Sequence, residues 1–310
     1  MNTYPPIALL VLNYNGLELL KRYLSSVVLA ASNYPGKARV IVVDNNSSDH
    51  SLDYLHDSMP MVKTINRNDN AFLFAYNQTV ADLKEDICIL LNNDVLVDEN
   101  FVSPLVESYQ NKPDVFGVMP LVDSPVANEV YRNRCSGIWV QGQLQTGKWL
   151  NRPEPGPTLF AHGGACLIDK KKFVSLGGFD PIFWPGYFED EDISYRAWRR
   201  GWSIYYEPAS KVVHHAGASF GKKYMTRKRD IIRKRNLKIF IIKNIHDNNM
   251  FRNFIKWELI RAAVAVLKMR IVDIVGLLQI LPILPKVYRS RRKCQKEAII
   301  TDTQLLMKLN

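Results

Sequence analysis

Five consecutive apolar residues, Ile87–Leu91, run straight into Asn92, Asn93 and Asp94, and no other stretch restricts the fold of this chain as tightly. An unbroken apolar run of strand length, bounded by polar residues, is what a strand covered on both faces looks like. Two further runs share the design. Ile7–Tyr14 (IALLVLNY) closes on Asn15-Gly16, and Arg39–Asp44 (RVIVVD) ends in a carboxylate followed by Asn45-Asn46-Ser47-Ser48-Asp49. Between them Leu17, Leu20, Leu24, Val27 and Val28 recur at helical spacing. Strand, helix, strand, helix predicts an α/β chain with a mostly parallel central sheet, right-handed crossovers and flanking helices. Ligands of such sheets sit beyond the carboxyl ends of the strands. An acid there, such as Asp94, can hold a divalent cation, and the cation a diphosphate. Taken alone, Asn-Asn-Asp reads equally well as a polar turn.

The pattern continues with strands over Val62–Asn66 and Val115–Val122 and helices over Asn70–Leu83 and Asn100–Gln110. Ser47 or Ser48 is a natural N-cap for the helix holding Leu52 and Leu55. Asp123 to Pro157 is poorly periodic, with a hairpin expected through Ile138–Val140 and Lys148–Leu150; so long an excursion reads as a functional loop or lid. Leu159–Ile168 returns to the core, and Lys170–Leu176 is a short helix stopped by Gly177-Gly178. A helix entered through Glu189-Asp190-Glu191-Asp192 ends at Gly201, and Ile204–Glu207 and Lys211–His214 are short strands.

Charge divides the chain in two. Residues 222–310 carry 22 Lys+Arg against 6 Asp+Glu, a net of +16; the remaining 19 basic and 24 acidic residues leave 1–221 at −5. An acidic body with a basic tail directs the tail towards something anionic. The tail interleaves bases with Ile231, Ile232, Leu237, Ile239 to Ile242, Trp257, Leu259 and Ile260, and Arg289-Ser-Arg-Arg-Lys293 adds a polybasic cluster. Its longest uncharged run, Ile274–Pro285, is 12 residues, short of the ~20 that span a bilayer. Basic faces beside apolar ones suit helices lying in the interface of an anionic membrane. The competing reading is a helical subdomain packed on the body or on a second subunit of a homo-oligomer. No recognised nucleic-acid module accompanies the charge. Cys88, Cys135, Cys166 and Cys294 show neither disulfide nor zinc spacing, and the N-terminus lacks a basic n-region, so a cytosolic origin is expected.

Two stretches carry chemistry. Acids at a helix start complement its dipole, but four adjacent carboxylates repel one another, which leaves room for one of them to act as a general base. His214 and His215 end a strand, and imidazole with a carboxylate suits manganese better than magnesium. His50, His56, His162 and His246 read as structural.

Val-Leu-Asn-Tyr-Asn-Gly (11–16), Val-Val-Asp-Asn-Asn-Ser-Ser-Asp (42–49), Leu-Leu-Asn-Asn-Asp (90–94), Gly-Gly-Phe-Asp (177–180), Tyr-Phe-Glu-Asp-Glu-Asp (187–192) and His-His-Ala-Gly-Ala-Ser (214–219) stand in the order seen in glycosyltransferase family 2. The chain resembles the rhamnosyltransferase-like branch of that family, which serves surface-polysaccharide assembly, over about residues 5 to 240. The resemblance implies an A-type glycosyltransferase fold with a C-terminal helical region. The nucleotide-sugar-binding catalytic domain would be 1–221, and the membrane-associating region 222–310. It further implies an inverting transfer from a nucleotide-diphosphate sugar, with Mn2+ or Mg2+ as cofactor, to a saccharide or lipid-linked acceptor. Asp44 matches the acid that bonds the nucleotide base, with Asn13 and Tyr14 lining the same end. Asn92-Asn93-Asp94 stands at the Asp-x-Asp motif, so Asp94 is the expected metal ligand and His214 the second. Asp190 matches the catalytic base, supported by Glu189 and Asp192. The family's Asn-x-Gly-Phe-Ala-x-x-Asn appears as Asn70-Ala-Phe-Leu-Phe-Ala-Tyr-Asn77, with Phe72 in place of a glycine that lets backbone approach the donor.

Two rival readings stand beside this one. A nucleotidyltransferase would normally show a Gly-rich phosphate loop after the first strand, and Asn13-Tyr-Asn-Gly16 is not one. A non-catalytic protein of the membrane surface could retain the same fold.

Overall fold

The computed structural model describes residues 4–123, 134–149, 153–215 and 226–309. In chain order the body comprises β1 (Ile7–Asn13), α1 (Leu17–Asn33), β2 (Ala38–Asp44), α2 (Ser51–Ser58), β3 (Lys63–Asn66), α3 (Ala75–Asp82), β4 (Ile87–Asn92), β5 (Val95–Val97) and α4 (Val102–Gln110). It continues with β6 (Val115–Asp123), β7 (Cys135–Val140), β8 (Gln143–Trp149), β9 (Gly156–Pro157), β10 (Ala165–Asp169), α5 (Lys170–Ser175), α6 (Glu189–Arg199) and β11 (Ser203–His214). The basic tail folds as α7 (Thr226–Asn244), α8 (Asn248–Leu267), α9 (Ile271–Leu278), α10 (Leu284–Glu297) and α11 (Asp302–Leu309).

The main sheet runs β3-β2-β1-β4-β10-β6-β11-β5, with β9 added beside β11. Strands β3, β2, β1 and β4 are parallel, as the apolar runs predict. The mixed character comes later: β10 lies antiparallel to β4 and β6, and β5 antiparallel to β11. Strand alternation divides the core. Ile7, Leu9 and Val11 pack under α1 and α4, whereas Ala8 and Leu10 join the opposite layer with Tyr76, Phe173, Ile193 and Trp198.

Four local expectations change. Asn70–Leu83 is not one helix: the Asn70 carboxamide accepts from the Phe72 N–H, Phe72 takes a left-handed φ of +52°, and α3 starts only at Ala75. Neither Ser47 nor Ser48 caps α2, because Ser47 is engaged with Asp44; Asp49 accepts from Ser51 instead. Segments 204–207 and 211–214 form one strand with an irregularity between Glu207 and Lys211. The hairpin turns at Gln141-Gly142, both left-handed (φ +49° and +74°), so Val140 faces Gln143 and β8 begins earlier than expected; Leu150 lies outside the described residues.

The tail is no separate module. Ile239, Phe240, Ile241 and Ile242 of α7, and Ile245 just after it, with Leu305 and Leu309 of α11, share one apolar layer with Ala8, Leu10 and Trp198. Fully buried Lys243 donates to Asp180 (2.7 Å) and Asp192 (2.9 Å). Asn244 and Arg196 also donate to Asp192. Burial alone would push the Asp180 carboxyl up; the Lys243 ammonium outweighs it and holds the group below the usual carboxylate range. On α11, Asp302 binds Tyr195 and Arg199 of α6 and the His246 and Asp247 amides. A boundary at 221/222 falls outside the described residues, and across it body and tail share one core.

The outer tail is different. Segment 271–297 is the single stretch among the described residues long and apolar enough to cross a bilayer, with mean hydropathy 1.7 over its best 18-residue window, only 17% of it buried. The 12-residue uncharged run understates it. One side is fastened to α7, through Lys234–Asp273 and through Arg291 to the Ile242 and Ile245 carbonyls. The other side is open: Leu267 and Met269 are over four-fifths exposed, and Leu259, Val266, Ile271, Leu278 and Leu281 over half.

Lys243→Ala takes the ammonium from buried Asp192, leaving it Arg196 and Asn244, and removes the ion pair of partly buried Asp180; it is expected to lower stability by ~3–5 kcal/mol. Denaturant unfolding should show one shifted transition for body and tail together; separate transitions, with the body unmoved, would contradict the shared core.

Candidate active site

Sheet register builds the first part of the site. Antiparallel pairing of β11 with β5 sets His214 opposite Val95, and the His215 amide donates to the Asp94 carbonyl, so the last residues of β11 lie against the turn after β4. His214 Nε2 is 3.1 Å from Asp94 Oδ1. Asp94 is only 3% exposed, and its Oδ1 accepts no hydrogen bond. A buried acceptor without a donor is expensive to leave so. An oxygen and an imidazole nitrogen converging this way fit a divalent transition cation. Among the described residues no cluster of three or more His, Cys, Asp or Glu is seen. Residues Ala216–Ser219 of the histidine stretch lie outside the described residues.

His162 extends this corner towards α6. Its ring lies edge-on to His214 with centroids 5.7 Å apart, and its Nδ1 accepts from the Gly164 N–H at 3.0 Å. The Gly164 carbonyl accepts from the Asn92 amide, and the Gly163 N–H donates to Asp190 Oδ2 at 3.1 Å. The His162-Gly163-Gly164 turn therefore joins Asn92, the Asp94–His214 pair and Asp190. A side chain on Gly163 would meet Leu73 Cδ2 at 2.8 Å and lie 3.6 Å from Asp190 Cβ, so the Phe72–Phe74 turn also borders the carboxylate.

The acid run is resolved by giving each carboxyl its own environment. Burial pushes the Asp190 carboxyl up, but the Glu191 hydrogen bond, the nearby His162 imidazole and the Gly163 N–H bring it below the usual range. Asp190 is the ionised member. Burial, then the Asp190 charge, pushes Glu189 up to about 8, and the same causes hold Glu191 well above the ordinary range. Glu189 therefore stays protonated at neutral pH. Asp192 is turned away, fully buried among Arg196, Lys243 and Asn244, so its support of Asp190 comes through this buried tie. The entry to α6 is left-handed at Tyr187 and Phe188 (φ +71° and +73°).

The other end of the cleft is knitted by amides. Asn13 donates to Asp44 Oδ2 at 2.8 Å and accepts from Asn93 at 2.7 Å. Asp44 also accepts from the Ser47 hydroxyl and amide. Asp49 receives the Leu17 N–H, tying the turn after β2 to the start of α1. A Cβ on Gly16 would stand 2.1 Å from Asn93 Nδ2, which explains the glycine. Tyr14 is half-buried at this end. Asn77, whose motif position in the resemblance implies a contact with the donor, has both ends of its carboxamide on the Phe179 backbone at 2.8 Å, where it clamps the loop before α6. Sequence reasoning missed His162; the Gly-Gly pair directly after it was the available signal.

Asp94→Ala and His214→Ala are each expected to weaken Mn2+ binding at least tenfold, read by electron paramagnetic resonance of the free ion, with unfolding unchanged. Full binding by either variant would sink the ion assignment.

The first comparison is with a family model, "Glycosyl transferase family 2", which matches residues 9–177. An N-acetylglucosaminyl-diphospho-decaprenol L-rhamnosyltransferase of Mycobacterium tuberculosis is 25% identical over 230 residues, 66% of this chain and 74% of its own. Among solved structures, GalNAc-T7 with UDP, GalNAc and Mn2+ superposes with a TM-score of 0.59 at 18% identity, over 80% of this chain but only about half (49%) of that one. The mannosyltransferase PcManGT of Pyrobaculum calidifontis, in complex with GDP-Man and Mn2+, gives 0.58 at 16% identity, covering 95% of this chain and 85% of that chain. These superpositions bear out the A-type glycosyltransferase fold with its helical C-terminal region. Since the family model spans more than half of its length, the chain belongs to glycosyl transferase family 2.

Proposed function

We propose that this protein is a metal-dependent, inverting glycosyltransferase of surface-polysaccharide synthesis. It would move a sugar, with rhamnose the first to test, from a nucleotide-diphosphate donor to a hydroxyl of a saccharide or lipid-linked acceptor. The observation that carries the reading is the meeting of Asp94, His214 and Asp190 around the His162-Gly163-Gly164 turn.

Each residue then has work suited to its surroundings. Asp94 and His214 would hold Mn2+ or Mg2+, which when bound neutralises the diphosphate as it leaves. Asn13, Asp44, Asn93 and Tyr14 border the end suited to the nucleoside, where the buried Asn45 Oδ1 still lacks a donor. Asp190 takes the proton of the acceptor hydroxyl. The acceptor oxygen bonds to the anomeric carbon as the carbon–phosphate-oxygen bond breaks, and the electron pair departs on the diphosphate. Attack from the opposite face inverts the centre without a covalent enzyme intermediate. Protonated Glu189 keeps a second anion from crowding Asp190.

The exposed apolar residues of α8 and α9 are accompanied by exposed Lys256, Lys268, Arg270, Lys286 and Arg289. This pairing favours a peripheral seat on an anionic bilayer, taken here as the cytoplasmic face.

Nucleotide release from a donor panel with Mn2+ tests the activity. Asp190→Asn should lower kcat at least ~100-fold while the protein stays folded. Because the Asp190 pKa is depressed, the base form persists as pH falls, and the wild-type rate should drop only below the ordinary carboxylate range. Unchanged turnover in Asp190→Asn would remove it from the mechanism. Flotation with phosphatidylglycerol vesicles should recover the wild type and lose the Leu267→Glu, Ile271→Glu double variant. A dimer in sedimentation that the same variant dissolves would assign the patch to a second copy instead.

A further inference from the structure

The first turns of α7 carry charge that neither the core nor the proposed chemistry uses. Arg229 and Arg233 are four residues apart and so share a helix face. The Arg233 guanidinium lies over the Tyr187 ring, 5.7 Å from its centroid. Burial raises the Tyr187 phenol above its ordinary value, with the Arg229 and Arg233 charges opposing the rise. Arg229 Nε is buried and has no hydrogen-bond partner. Tyr187 in turn stands three residues before Asp190.

Trp184 flanks the same approach. It is 52% exposed, meets Phe72 edge-on at 5.7 Å, and its carbonyl accepts from Arg235. Phe72 neighbours Leu73, which borders Asp190 through Gly163. On its other side α7 carries α9: Gly276 rests against the Ile231 carbonyl, Lys234 and Arg235. The arginines thus stand on the helix that links the catalytic loop to the apolar patch.

We propose that Arg229 and Arg233, bordered by Tyr187 and Trp184, bind the diphosphate of a lipid-linked acceptor, presenting its sugar hydroxyl to Asp190. This rests on the glycosyltransferase reading and adds to it an anion site separate from Asp94 and His214. Guanidinium groups suit the task, since they bind phosphate oxygens in bidentate fashion and keep their charge near apolar surface. The exposed Trp184 ring offers an apolar surface to the first isoprene unit.

The test is calorimetric titration of the full chain with farnesyl diphosphate in EDTA, which disables the metal corner. Wild type should bind. Arg229→Ala with Arg233→Ala should weaken binding at least tenfold, while Asp94→Ala and Arg289→Ala leave it unchanged. Flotation of the double alanine variant with phosphatidylglycerol vesicles should also stay intact. Undiminished binding by the double variant overturns the proposal. Loss in Asp94→Ala assigns the probe to the donor's diphosphate site and overturns it too, as does parallel loss of flotation, which marks the arginines as general lipid contacts. Arginine-dependent binding with no transfer from any donor would leave this site standing and remove the glycosyltransferase reading alone.

Discussion

Asp180, Asp192, Arg196 and Lys243 form a buried cluster of two anions and two cations, and the position of Asp190 depends on it. Asp192 lies two residues beyond Asp190 on α6, and Asp180 starts the loop that leads into that helix. Lys243, from a different part of the chain, binds both carboxylates. Asn236, two turns earlier on α7, donates to the Phe183, Gly186 and Tyr187 carbonyls. These bonds hold a loop whose last two residues are non-glycine in left-handed backbone, a conformation costing on the order of 1 kcal/mol or more each. Without α7 the loop would relax and the start of α6 would turn. The tail is therefore part of the active site's support, although it contributes no residue to the metal corner.

The acid run shows how one short sequence avoids its own repulsion. Four ionised carboxylates on one helical turn would be untenable. Asp192 faces a guanidinium and an ammonium in the interior and remains paired. Asp190 faces two N–H donors and a histidine and stays ionised. Glu189 and Glu191 have no such donors at their buried Oε2 atoms, and burial with the Asp190 charge pushes both up. Asp190 remains the anion where a general base is needed.

The parallel half of the sheet and the strand-end acids are legible in the sequence, because each depends on apolar runs that stop at a polar residue; the pairing of Asp94 with His214 is implied only by the family resemblance. What is not legible depends on partners distant in the chain. Asp192 and Asn77 sit in motif positions, yet their bonds go to Lys243 and Arg196 in one case and to the Phe179 backbone in the other. His162 looks isolated until β10 returns antiparallel beside β4 and brings the Gly-Gly turn to Asn92. Phe72 replaces glycine but keeps a left-handed backbone, held by Asn70 at its amide and Asn45 at its carbonyl. Composition reads the tail as basic and amphipathic, and cannot separate the part that completes the core from the part that remains open.

That separation has a mechanical consequence. Residues from Asn236 to Asn244 of the tail's first helix, and Ile245 just after it, are packed into the body, whereas Ile231, Lys234 and Arg235 receive α9. A surface seated against α8 and α9 is thereby joined to the Tyr187–Asp190 loop by one helix, without a hinge between them. Under the proposed seat on a bilayer, orientation at the membrane would fix the direction from which an acceptor reaches Asp190, with no conformational switch needed to align the two. Within the tail the inward-turned Lys243 ties Asp180 to Asp192, while Lys256, Lys268 and Arg270 stay exposed beside the apolar patch.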